Sequence, residues 1–201
     1  MSLIKLKNNA LDNLTSFEGS ASLGDMVFIS SATASSSASI EFTLGDLKEY
    51  KFFFVNIHPQ NDGVNFGFNM SIDGGSNYNV TKTTTWFRSQ QRENGTDTQL
   101  NYDTGQDLAQ STSDAKIGTR DLDNDSDSSN SGYLHLFNPS STTYVKHFIC
   151  NMQGNETSSP NYSMNAFCAG YGNTTNAIDS VIFRMSSGNI DDGKILMFGI
   201  N

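Results

Sequence analysis

Between residues 39 and 72 the chain twice alternates apolar and polar positions with a period of two. Ile40, Phe42 and Leu44 fall on one side with Ser39, Glu41 and Thr43 on the other. Phe66, Phe68, Met70 and Ile72 repeat the pattern opposite Asn65, Gly67, Asn69 and Ser71. Successive side chains of a strand point to opposite faces, so this spacing predicts strands with one buried face and one wet face. No stretch carries the apolar spacing of a helix over three turns.

Strand-like runs follow one another at 26–31, 38–44, 49–58, 64–72, 83–89, 132–138, 143–152, 163–170, 177–185 and 194–200. Asp73-Gly74-Gly75 and Asp192-Gly193 read as hairpin turns, and Asp62-Gly63 and Asn138-Pro139-Ser140-Ser141 as connections between strands. Charged residues make up only 16% of the chain, and aromatic residues, mostly Phe, make up 11%. With abundant Ser, Thr and Asn, that balance favours pleated sheets and turns over helices. The expected fold is all-β, an antiparallel β-sandwich of the jelly-roll type with about 8–10 strands.

A chain of 201 residues is long enough for one sizeable core. Residues 1–20 stand apart as an N-terminal arm or edge strand, and residues 21–201 read as a single β-sandwich domain. Within it, 89–131 is a long polar insertion broken only by isolated apolar residues such as Leu100, Tyr102, Leu108, Ile117 and Leu122. Connections of that length in a compact domain usually carry function, so partner contacts are expected there.

The formal net charge is -9, and the few cations are scattered singly along the chain. A phosphate backbone would repel such a protein, which excludes nucleic acid as a partner. No apolar run approaches the roughly 18 residues of a membrane span, so no membrane insertion is expected. The N-terminus lacks a secretory pattern, and the chain reads as soluble and made in the cytoplasm. Cys150 and Cys168 each sit in an apolar strand-like run with no framework of spaced cysteines around them. Two buried free thiols are expected, with a disulfide as the alternative.

The stretch DLDNDSDSSNSG at 121–132 places Asp121, Asp123, Asp125 and Asp127 at every second position. An EF-hand needs Gly at position six and Glu at position twelve. Counting from Asp121 these are Ser126 and Gly132, and from Asp123 they are Ser128 and Leu134, so the motif fails in both registers. A solvated loop is expected in place of a calcium site. His135 and His147 read as strand-wall positions, and His58, before Pro59, as a turn residue. The chain has no nucleophile elbow, no P-loop, no dinucleotide fingerprint and no Cys/His metal spacing. No catalytic, cofactor-binding or metal-ligating residue is assigned, and a non-enzymatic protein is expected. Trp86 beside Phe87, with Tyr78, Tyr102, Tyr162 and Tyr171, could form an aromatic platform for sugar rings; an ordinary sandwich core and rim is the favoured reading.

The segments SATASSSASIEFT, YKFFFVNIHP, FNMSIDGGSNYNVTKTTTWFR, LHLFNPSSTTYVKHFI and AGYGNTTNAIDSVIFRMSSGNIDDGKILMFGI resemble a family of small virion structural proteins of marine tailed phages, of the cyanophage and pelagiphage type. The similarity covers nearly the whole chain. Its most widespread piece is the ending, in which an apolar strand at 178–185 and a turn at 186–190 lead to Phe198-Gly199-Ile200, with Phe198 where Tyr is common. The resemblance implies a virion protein with a jelly-roll-like sandwich and brings no catalytic motif. The expected function is a decoration or cement protein on the capsid exterior, a homo-oligomer, in particular a trimer, held to the major capsid protein by the arm and the 89–131 segment. It would reside in the virion, assembled in the host cytoplasm. The alternative is a tail fibre or spike module for host recognition that binds a surface glycan; a glycan-cleaving enzyme of the same appendage is a more distant third.

Overall fold

The computed structural model describes residues 26–156 and 161–200. The expected N-terminal arm at 1–20 lies outside them. The described residues contain strands and no helix, in the order β1 (Val27–Thr33), β2 (Ile40–Thr43), β3 (Glu49–Pro59), β4 (Phe66–Ser71), β5 (Lys82–Arg92), β6 (Thr98–Tyr102), β7 (Ala115–Lys116), β8 (Asn130–Phe137), β9 (Lys146–Glu156), β10 (Tyr162–Gly172), β11 (Ser180–Met185) and β12 (Ile190–Ile200).

They form two antiparallel sheets. One has eight strands in the order β1-β12-β3-β8-β9-β10-β5-β6, and the other has four in the order β2-β11-β4-β7. Without β5, β6, β9 and β10, eight strands remain, and numbering these in chain order gives 1-8-3-6 in one sheet and 2-7-4-5 in the other. That is the double Greek key of a jelly roll, as the strand and turn pattern predicts. The two extra strand pairs, β5–β6 and β9–β10, both join the larger sheet on its β8 side.

Aromatic side chains hold the sheets together. Phe183 on β11 is fully buried, and its ring centroid lies 5.2 Å from those of Phe52 and Phe54 and 5.6 Å from that of Phe68. Phe66 and Phe42 complete the cluster at 6.1 and 6.3 Å. Strict alternation continues along β5, where Lys82, Thr84, Trp86, Arg88 and Gln90 turn inward and Thr85, Phe87, Ser89 and Gln91 turn out.

The 89–131 stretch contains the end of β5, then β6, β7 and the start of β8. After β6 the chain runs back along its own domain. Thr84 N–H donates to the Leu108 carbonyl at 2.9 Å, Lys82 N–H to that of Ser111 at 2.7 Å, and Leu122 N–H to that of Val64 at 2.8 Å. Ile117 and Leu122 are thereby buried in the common core, whereas Leu100 and Tyr102 stay exposed on β6.

Three local expectations are corrected. The side of β4 carrying Gly67, Asn69 and Ser71 is not wet; every residue of the strand is buried, because β4 lies between β11 and β7 and residues 80–82 and 112–118 close over it. The strand expected from residue 143 starts at Lys146, whose buried ammonium donates to the carbonyls of Ser141 and Tyr144 at 2.6 Å each and so curls that segment into a loop. His58 is a strand residue of β3 opposite Asp192, not a turn residue. The two cysteines face each other on β9 and β10 as buried free thiols. Burial pushes the Cys168 thiol up to about 12 and raises that of Cys150 well above its ordinary range.

Candidate functional site

In a sandwich that stands alone, the outward positions of a sheet are polar. In the eight-stranded sheet many are aromatic. The register aligns Phe53 with Leu196 on one side and Tyr133 on the other, and aligns Phe167 with Phe87 and then Tyr102. One row along, Phe28 pairs with Phe198 and Ile149 with Ala169. Phe198 makes edge contacts with Phe28 and Phe53, both at 5.5 Å, and Phe87 stacks on Phe167 at 4.9 Å. Lys51 Nζ lies 4.6 Å above the Tyr133 ring, and the His135 ring lies 4.0 Å from that of Phe137, with its Nε2 2.8 Å from Glu49 Oε2. The band remains open to solvent: Phe28 is 53% exposed, Tyr102 50%, Val55 44% and Phe87 40%. Asn151 stands between Tyr133 and Phe167 and divides the band, and exposed apolar patches such as those on either side of it mark a docking or ligand face.

Toward one end of the band, Ala169 and Gly170 leave β10 without bulk, and an open groove of about 440 Å³ forms over β9, β10 and β5. Thr83, Thr85, Phe137, His147, Ile149 and Tyr171 line it. The His147 and Tyr171 rings are 6.1 Å apart. Thr83 Oγ1 accepts from Gln110 Nε2 at 2.7 Å. No carboxylate lines the groove. It offers apolar contact, ring stacking and hydroxyl hydrogen bonds, and it lacks the carboxylate pair that glycoside hydrolysis requires.

No family model, curated protein or solved structure matches the chain. The face and its groove therefore have to be read on their own chemistry.

The aromatic residues singled out in the sequence separate into two groups. Trp86 is fully buried on the inward side of β5, as the favoured core reading has it, so it cannot stack on a ligand and drops out of the alternative sugar platform. Tyr162 is largely buried, its hydroxyl 3.1 Å from Asp97 Oδ2. Tyr78 donates to Glu41 Oε2 at 3.0 Å, away from the band; burial first and then Glu41 push its pKa up to about 12. Phe87, Tyr102 and Tyr171 do lie on the outer face. Phe28, Phe53, Phe167 and Phe198 were not singled out. For Phe53 a signal is present in the apolar run Phe52-Phe53-Phe54-Val55, since four consecutive apolar residues in a strand give it two apolar faces.

Of the aspartates of 121–127, Asp121 and Asp123 turn to separate partners. Asp121 Oδ2 lies 3.0 Å from Arg120 Nε, and Asp123 Oδ1 accepts the Asp125 N–H at 2.9 Å. Asp127 borders a shallow hollow with Asn56, His58, Ser128 and Asp192, where His58 Nδ1 is 2.7 Å from the Ser128 carbonyl. Among the described residues no three His, Cys, Asp or Glu side chains gather where they could hold a metal ion.

Proposed function

We propose that the chain is a non-enzymatic structural protein of a tailed-phage virion, a decoration protein that docks on the major capsid protein at the particle exterior. The aromatic band across the outer face of the eight-stranded sheet carries this reading. Phe28, Phe87 and Tyr102, exposed on the same face as the half-buried Phe53, are costly to keep in water unless another surface covers them. The sequence resemblance to virion proteins and the jelly-roll frame agree with it. Assembly as a trimer multiplies each contact, so a modest interface per subunit suffices.

The deciding experiment is quantitative mass spectrometry of purified particles, with the copy number of this polypeptide referred to the major capsid protein. Parity on the order of the capsid lattice supports decoration, and absence from particles refutes the virion role. Phe87→Asp should leave the monomer folded and remove attachment to particles stripped of it.

A second reading is a host-recognition module on a tail fibre that binds a glycan in the groove. The hydroxyls of Thr83 and Thr85 beside Tyr171 and His147 favour it, since sugars are held by hydroxyl hydrogen bonds and ring faces. A copy number of a few per particle, with loss of glycan binding in Tyr171→Ala, would establish this reading over the first.

A further inference from the structure

Away from the outer face, a lysine, an asparagine and an aspartate meet between the two sheets. Lys82 begins β5 of the larger sheet, Asn69 lies in β4 of the smaller one, and Asp114 immediately precedes β7. Lys82 is fully buried and Asn69 is 1% exposed. Lys82 Nζ lies 2.6 Å from Asn69 Oδ1 and 2.7 Å from the Val80 carbonyl oxygen. The carboxamide is pinned on both sides. Its Oδ1 also accepts the Met70 N–H at 2.9 Å, while its Nδ2 donates to Asp114 Oδ1 at 2.8 Å and to the Thr112 carbonyl at 3.1 Å. Arg184 holds Asp114 with two further bonds, at 2.7 and 2.9 Å.

A buried ammonium normally faces a carboxylate, because its charge is expensive to desolvate. Lys82 instead has two neutral acceptors, which match the two N–H bonds of a neutral amine and leave its lone pair unused. Burial pushes its pKa down to about 8, with Arg184 adding to the shift and Asp114 opposing it, so the neutral amine is populated near neutral pH. The electrophile is one carbonyl bond, about 1.23 Å, beyond Oδ1. It is polarised by the Met70 N–H, and its leaving nitrogen rests on a carboxylate.

We propose that Lys82 and Asn69 are joined by an intramolecular isopeptide bond, formed by the protein itself with Asp114 positioning the leaving nitrogen. The Nζ lone pair attacks Asn69 Cγ, and the carbonyl π pair moves to Oδ1, where the Met70 N–H receives the developing charge. One Nζ proton moves to Nδ2 across the tetrahedral centre, while Asp114 Oδ1, 2.8 Å away, holds that nitrogen in place. The Cγ–Nδ2 bond then breaks with its electron pair on nitrogen, and the carbonyl re-forms. One ammonia leaves and one secondary amide remains, with no oxidant or cofactor consumed. Asp114 borders an open pocket of about 300 Å³ with Asn65, Gly67, Lys116 and Ser186, which gives the ammonia an exit. The bond ties a strand of one sheet to a strand of the other, independently of what the outer face binds.

The test is the mass of the purified full chain under denaturing conditions. The protein should be lighter than its sequence by one ammonia. Trypsin, which needs a free lysine, should skip Lys82 and release a single peptide running from Phe52 to Arg88 that carries the deficit. A succinimide at Asn94-Gly95 loses the same mass but leaves Lys82 open to trypsin, so the peptide decides between them. Lys82→Met should keep the full mass, and Asp114→Ala should form the bond at least tenfold more slowly, with circular dichroism to confirm the β-fold of each. A wild-type protein of full sequence mass, cleaved by trypsin after Lys82, overturns the proposal whether or not the variants fold.

Discussion

Replacing Cys168 with alanine should alter the pH dependence of stability more than stability itself. At about pH 8 the thiol is neutral in both folded and unfolded chains, and the substitution costs only the small cavity it leaves, about 1–2 kcal/mol. Above the ordinary thiol pKa of 9.0 the unfolded chain loses that proton, while the folded chain keeps it up to about 12 because the thiolate cannot be solvated in the core. The unfolded state then binds fewer protons than the folded one, so stability falls as pH rises, by about 1.4 kcal/mol per unit. By about pH 11 the wild type has lost about 3 kcal/mol through this one group. The alanine variant loses none of it, and its Cys150 thiol, which Cys168 helps to hold up, is released slightly, a change in the same direction. The curves should therefore cross: wild type more stable at about pH 8, Cys168→Ala more stable at about pH 11. Urea denaturation at a series of pH values with reductant present measures both. Parallel curves across that range would refute the placement of Cys168 in a dry core opposite Cys150.

Phe183→Ala should destabilise the fold by about 3–5 kcal/mol in urea denaturation, since Phe183 is the ring on which Phe42, Phe52, Phe54, Phe66 and Phe68 converge. Gly132→Ala should cost about 1–3 kcal/mol or abolish soluble expression, because a Cβ there meets the Asn151 carbonyl and Met152 of the neighbouring strand. Excess calcium should leave the melting temperature unchanged, since Asp121 and Asp123 turn to separate partners and no three acidic side chains gather among the described residues. A site filled at a hundred times its dissociation constant would stabilise by about 2.7 kcal/mol, and a shift of that size would show that the loop does gather its oxygens.

The jelly-roll frame was legible because its strands declare themselves locally. Ile40, Phe42 and Leu44 alternate with polar residues, and Asp73-Gly74-Gly75 and Asp192-Gly193 mark reversals. What was not legible depends on pairings distant in sequence. β6 (TQLNY) is exposed along its whole length and β7 is two residues long, so neither carries a burial pattern. That β5 pairs with β10 across some eighty residues, and so widens one sheet, follows from registers no local run encodes. Asn69 and Ser71 look like surface residues by type. They are buried because Lys82 donates a hydrogen bond to Asn69 Oδ1 and the Ser71 hydroxyl donates one to Asp73 Oδ1. The outer face was partly legible in Phe52-Phe53-Phe54-Val55, but an apolar residue in a strand does not say which side is covered. Trp86 shows the same ambiguity resolved inward, and its neighbour Phe87 resolved outward.

The width of the larger sheet has a geometrical consequence. Seven pairings separate β1 from β6, and adjacent strands turn by roughly 20–25° each. The two rims are therefore rotated against one another by about 150°. At that average twist Phe28 at one rim and Tyr102 at the other face different directions, so a partner that covers both has to be curved or made of more than one surface. On the proposed docking role, the two ends of this face would therefore meet two different surfaces of the capsid.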